Sequence, residues 1–262
     1  MAVTMDDFVR LIEHIAPPGL ADEWDNSGLL LCCGETVSRV LIALDATTAV
    51  VDEAAAGGFD MVLTHHPTLF SPVRRLDYHR PPDAVVMRLI SAGISLYAAH
   101  TPYDKAGGGI NDMLSEKLGL SSVAVAPGPD DGLMRVGRLD GILDTGDFLT
   151  HVKRTLKTEP LRVSDVRSRP IQTVAVVGGS GGDFVAAAKA AGADALVTGE
   201  AKHHHFIDAV ARDMLLVEAG HFATEQGFSG HIFMSLQSRL DNVQLHLDFQ
   251  KAKCETAPYT YI

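Results

Sequence analysis

The sequence predicts an α/β fold built as two similar α/β lobes related by a pseudo-two-fold axis, with a metal site in the cleft between them. Three observations lead there. Short apolar runs alternate with helical segments in both halves of the chain. The halves match when the chain is slid along itself, and a His and a carboxylate four residues apart recur at equivalent places in each.

Thr4 to Ile15 reads as an opening helix, with Thr4 and Asp7 placed as a capping box and Phe8, Leu11, Ile12 and Ile15 as its apolar stripe. Pro17-Pro18-Gly19 ends it. Val40–Leu44 is a buried strand, Ala49–Ala56 a helix, and Met61–Leu63 a second strand running into Thr64-His65-His66-Pro67. Asp83–Ala92 (helix), Ile94–Ala98 (strand) and Ile110–Leu118 (helix after Gly107-Gly108-Gly109) follow. Between Leu120 and Arg169 the pattern weakens, with a strand at Val136–Leu143, a helix at Gly146–Leu156, and Pro127, Pro129, Pro160 and Pro170 as punctuation. A soft boundary here separates a first lobe, 1–125, from a second, 126–262, with interleaving of the two left open. Alternation resumes with strand Val174–Val177, helix Phe184–Ala191, strand Ala195–Val197, helix His203–Ala211, strand Met214–Val217, a helix from about Phe222 and a last strand at Val243–Phe249.

Composition is that of a globular chain of 262 residues, 46% hydrophobic and 21% charged, long enough for a large core. A net charge of -11 argues against nucleic acid as a partner, since that affinity comes from Lys and Arg on phosphates. It is compatible with attracting cations, and 12 His is a high count for this length. The three cysteines, Cys32, Cys33 and Cys254, lack the spacing of a disulfide framework or a Cys-based zinc site, so a reducing, cytoplasmic setting is expected. The acidic start lacks a basic leader, and no apolar run approaches the ~20 residues of a membrane span.

A shift of 134 residues lays Val40–Thr64 on Val174–Thr198 without a gap, so that Gly58 meets Gly192, Asp60 meets Asp194 and Thr64 meets Thr198. General α/β regularity can produce that much. It does not readily produce the second match, in which Ala99-His100-x-x-x-Asp104 corresponds to Gly220-His221-x-x-x-Glu225, each after a short apolar run.

Neighbouring residues on a strand face opposite sides, so His65 and His66 share a site only if they lie in the turn past it, as Pro67 suggests. Taken alone they read more readily as two unrelated surface histidines. His221 and Glu225 fall on one helical face, and His100 and Asp104 repeat the spacing, although Pro102 argues against a regular helix there. Each pair alone could be a solvated face or a surface ion pair. Together, and in repeated positions, His65, His66, Asp104, His221 and Glu225 point to a site for two divalent transition-metal ions, with His100 beside it. Imidazoles with carboxylates suit Zn, Mn, Fe, Co or Ni better than Mg or Ca. Such ions would supply a hydroxide nucleophile near neutral pH. His203, His204 and His205 fan out around a helix and cannot converge on one ion. Gly178–Gly182 is a tight turn or, less readily, a phosphate loop. Asp45 is either a cleft residue or a helix cap.

Four motifs in order, Glu23-Trp24-Asp25-Asn26-Ser27-Gly28-Leu29, Thr64-His65-His66-Pro67, His100-Thr101-Pro102-Tyr103-Asp104 and Gly220-His221-Phe222-Ala223-Thr224-Glu225, resemble those of the GTP cyclohydrolase 1 type 2 homologues, the Nif-three-like family, and Thr198-Gly199-Glu200 is similar to a further signature. The resemblance implies a dinuclear centre and a ring-shaped homo-hexamer. One ion would be held by His66 and Asp104, the other by His65 and His221, with Glu225 bridging and His100 as a proton-transfer group. It also implies the form without the large inserted domain that some members carry. The expected activity is a metal-dependent hydrolase acting on a purine nucleotide or another phosphate-bearing small molecule, with His100 and Glu225 as its catalytic residues. The alternative is a non-catalytic metal chaperone, store or adaptor.

Overall fold

The computed structural model describes residues 2–243 and 247–260. In chain order its elements are β1 (Val3–Thr4), α1 (Met5–Glu13), β2 (Gly28–Leu31), β3 (Thr36–Val37), β4 (Arg39–Ala43), α2 (Thr48–Gly57), β5 (Met61–Thr64), α3 (Pro81–Ala92), β6 (Ser95–Ala98) and α4 (Thr101–Lys105). Then come α5 (Ile110–Lys117), β7 (Ser121–Val125), β8 (Arg135–Leu143), α6 (Thr145–Leu156), β9 (Arg162–Val163), β10 (Ile171–Val177), α7 (Val185–Ala190), β11 (Ala195–Thr198), α8 (His203–Ala211), β12 (Leu215–Glu218), α9 (His221–Glu225), α10 (Phe228–Val243) and β13 (Asp248–Lys251). Short 3-10 turns lie at Pro18–Leu20 and Gly182–Phe184. Of the strand expected at Val243–Phe249, positions 244–246 lie outside the described residues, and the ladder runs from Asp248. Among the described residues no helix is long and apolar enough to cross a membrane.

The chain divides into two compact units, Met1–Gly109 with Phe228–Thr256, and Ile110–Gly227 with Ala257–Ile262. This differs from a split near residue 125. Leu114 of α5, with Leu118 and Leu120, packs with Phe148 and Val174 in the second unit's core, and α10 and β13 return to the first.

The first unit's sheet has the order β13-β4-β5-β6-β2. Its neighbours from β13 to β6 are parallel, and β2 pairs antiparallel on the edge. Val40 to Ala43 and Met61 to Leu63 are fully buried, which is why they read as unbroken apolar runs rather than alternating ones. Each such Val, Leu or Ile contributes about 1.5–3 kcal/mol by leaving water. Thr47 caps α2 by accepting the Val50 N–H, and Gly58 ends the helix at φ 64. Phe228, Ile232, Leu236 and Leu240 form the buried stripe of α10.

The second unit's sheet has the order β7-β8-β10-β11-β12-β9, with β10, β11 and β12 parallel and the flanking pairs antiparallel. Asp144 caps α6 by accepting the Asp147 N–H at 2.9 Å. The sequence repeat has a physical counterpart inside each unit. In the first, Asp60 accepts the N–H groups of Ser38 and Arg39 at 2.8 and 2.9 Å; in the second, Asp194 accepts those of Gln172 and Thr173 at 2.9 and 2.8 Å. The repeated Gly-x-Asp turn thus ties the start of one strand to the start of the next.

Candidate metal centre

In the first unit the site begins where β5 stops. The N–H groups of His65 and His66 both donate to the Leu44 carbonyl, at 3.2 and 3.1 Å, and the Thr64 hydroxyl donates to the His66 carbonyl at 2.9 Å. The pinned turn brings both rings to one side, with centroids 4.7 Å apart. His100 caps α4, and its ring lies 5.3 Å from His65 and 5.6 Å from His66. The three residues offer ring nitrogens within 4.8 Å of one another. Asp104 Oδ1 is 3.5 Å from His65 Nε2. Pro102 does not prevent the helix that carries Asp104, because it sits in the first turn, where no intrahelical N–H is needed.

In the second unit β12 leads through Gly220, at φ 94, into α9. His221 Nε2 lies 3.1 Å from Glu225 Oε2, and Glu225 is buried. The Gly178–Gly182 turn packs against this pair. At Gly179, with φ +59, an added Cβ would stand 2.5 Å from Glu225 Oε1. Its amides are already used: Gly178 donates to Asn111 Oδ1, Gly179 to the Thr224 hydroxyl and Gly181 to the Thr198 hydroxyl, at 2.7, 3.1 and 2.8 Å. The turn therefore serves close approach, with three of its amides already committed within the unit.

The ring orientations test whether these residues suit a metal. His65 Nδ1 meets the Ala99 carbonyl at 3.0 Å, His66 Nδ1 meets Asp45 at 2.9 Å, His100 Nδ1 meets Asp25 at 2.8 Å, and His221 Nδ1 meets Glu200 at 3.1 Å. Carbonyl and carboxylate oxygens only accept, so Nδ1 carries the proton in the neutral rings of His65, His66 and His100 and Nε2 holds the lone pair, whereas both nitrogens of His221 face carboxylates. Metal-ligating imidazoles are set up in this way. His205 is the contrast. Its Nδ1 accepts the Lys202 N–H at 3.0 Å, so Nε2 carries the proton and donates to Asp183 at 2.9 Å. Although Asp183, His204 and His205 crowd together, His205 is committed to capping α8 and has no lone pair left for an ion.

Sequence reasoning missed two groups that orient the rings. Asp25 and Glu200 lay within quoted motifs, yet no spacing ties either to its histidine, 75 and 21 residues away. Asp45 proves to be a ring-orienting residue, with Thr47 as the helix cap. Burial pushes the Asp25 carboxyl up, but hydrogen bonds from His100, Ser27 and Thr101 outweigh it and hold the group well below the ordinary Asp value of 3.8. A carboxyl depressed by folding adds stability above its unfolded value and loses it as pH falls through the folded one. Asp25→Asn is therefore expected to lower stability at neutral pH, with the gap to the parent chain closing as pH falls below about 4. Denaturant midpoints across that range would show it, and a gap independent of pH would contradict it.

A model of the Duf34/NIF3 (NGG1p interacting factor 3) family matches residues 3–258. The chain is 32% identical to a GTP cyclohydrolase 1 type 2 homolog of Clostridium perfringens, over 98% of this chain and 99% of that protein. It superposes on the crystal structure of a Staphylococcus aureus hypothetical protein with a TM-score of 0.92 at 26% identity, covering 99% of both chains. A Bacillus cereus protein related to NIF3 has the same fold, with a TM-score of 0.92 at 23% identity over 99% of both chains. The chain belongs to the Duf34/NIF3 family.

Proposed function

We propose that the chain is a dinuclear divalent-metal protein and works as a metal-dependent hydrolase on a nucleotide or another phosphate-bearing small molecule. The protein ligands are His66 and Asp104 for one ion and His65 and His221 for the other, with Glu225 shared. The observation that carries the metal reading is the common tautomer, with Nδ1 anchored and Nε2 presented in His65 and His66. Nε2 and carboxylate donors fit Zn, Mn, Fe, Co or Ni. The names of the relatives support a nucleotide as the substrate class, the family resemblance supports a homo-hexamer, and the pattern of the three cysteines supports a reducing cytoplasm.

When bound, such ions supply Lewis-acid polarisation and a water acidified toward neutral pH. The chain's own part is positioning and proton transfer. Asp25 anchors Nδ1 of His100, which fixes the ring and leaves Nε2 as the nitrogen able to exchange a proton. Glu200 and Asp45 hold the rings of His221 and His66 in register.

The test combines metal analysis and native mass of protein purified without chelator with a nucleotide-hydrolysis screen. About two ions per chain, a hexameric mass and turnover are expected, with His100→Ala keeping the ions and losing at least about 100-fold in rate. Metal-free protein would overturn the reading. Metal-loaded protein that turns over nothing, yet passes its ions to an apo-protein, would be a carrier.

A further inference from the structure

We propose that the arginine-lined cavity formed by the β5–α3 loop and the first turn of α3 is an anion subsite, which receives the phosphate end of a ligand whose planar ring packs on Phe70. This deepens the reading above and rests on it only for the reacting end of the ligand.

The cavity has a volume of about 570 Å³ and is lined within the first unit by Phe70, Arg74, Arg75, Arg80 and Asp83, among others. Three guanidinium groups face one carboxylate there, in a chain whose net charge is -11. Asp83, buried in the first turn of α3, pairs with Arg80 at 3.4 Å and accepts the Asp77 N–H at 3.1 Å. That leaves Arg74 and Arg75 without an acidic partner among the described residues. Guanidinium forks match phosphate oxygens two at a time, and the pair binds more strongly as water is excluded.

Phe70 connects the cavity to the candidate centre. It lines the cavity, is 51% exposed, and stands edge-on to His100 with centroids 5.7 Å apart. Trp24, 60% exposed, also stands edge-on to His100 at 5.7 Å. Two exposed aromatic rings beside one histidine offer faces to a planar heterocycle, whose anionic tail then reaches the arginines. The second unit's cavity, about 360 Å³, lacks this character: Asp183, Glu200 and Glu218 line it, and Arg162 is held by both oxygens of Glu218.

The test is calorimetric titration of GTP, guanosine and inorganic tripolyphosphate into the protein as purified, with metal content measured on the same samples. Trp24 is the only tryptophan, so its fluorescence gives a second readout. Expected for the double variant Arg74→Ala/Arg75→Ala is an affinity for GTP and tripolyphosphate weaker by about tenfold or more, with guanosine binding and metal content unchanged. Arg74→Lys/Arg75→Lys restores part of the loss, which a folding defect would not allow. Phe70→Ala weakens guanosine and GTP but not tripolyphosphate. Equal GTP affinity in the parent and the double alanine variant overturns the proposal, as does a parent that binds neither GTP nor tripolyphosphate. Protein without metal that still shows the arginine-dependent difference keeps the subsite and removes the hydrolase reading. The reverse outcome separates the two in the other direction.

Discussion

Glu225→Gln is expected to leave the chain folded and nearly stripped of metal. Glutamine keeps the volume of a side chain that is 3% exposed and removes its charge. Changing groups that merely orient a ligand costs 10–100-fold in affinity, so loss of a shared carboxylate should cost more than about 100-fold. Stability should move the other way once metal is absent. A buried carboxylate is costly to hold without cations, and its neutral replacement relieves that cost. Metal analysis of the purified variant, with unfolding of both chains after chelation, reads the two effects. A variant that retains two ions would remove Glu225 from the ligand set. One that is much less stable than the chelated parent would make its role structural.

Phe228→Ala should have the largest effect on stability, a loss of about 3–5 kcal/mol through the cavity it leaves. Phe228 is fully buried at the start of α10, 5.2 Å from the ring of His65 and 5.5 Å from that of Tyr103. The same substitution removes the wall against which His65 rests. Metal affinity is therefore expected to fall with stability, although no ligand has changed. Denaturant midpoints and metal titration together check this, and unaltered affinity in a destabilised variant would show that the Ala99 carbonyl alone orients His65.

What could be read from the sequence follows the range of the interactions. His65 and His66 were legible because a strand end and a proline lie beside them in the chain. His221 and Glu225 were legible because one helical turn joins them. Asp25 and Glu200 were not, because folding alone brings them to His100 and His221. The parallel cores of both sheets announced themselves as apolar runs. The edges did not: Ser121–Val125 is exposed throughout, and Gly28–Leu31, although its three leucines are apolar, is only partly buried. The unit to which Ile110–Lys117 belongs was hidden for a related reason. The helix Ile110–Lys117 looks like the end of one α/β series, and nothing local reveals that its leucines are buried in the next.

The pairing of β13 with β4 joins Asp248 to Arg39 and Lys251 to Ile42. During synthesis, the first unit's sheet has to wait with an open border until Asp248–Lys251 has left the ribosome, whereas the strands of the second sheet are all made by Glu218. The later-made sheet is thus the first able to close, and the nascent Arg39–Ala43 strand is the place where a chaperone, or a neighbouring nascent chain, has the longest opportunity to bind.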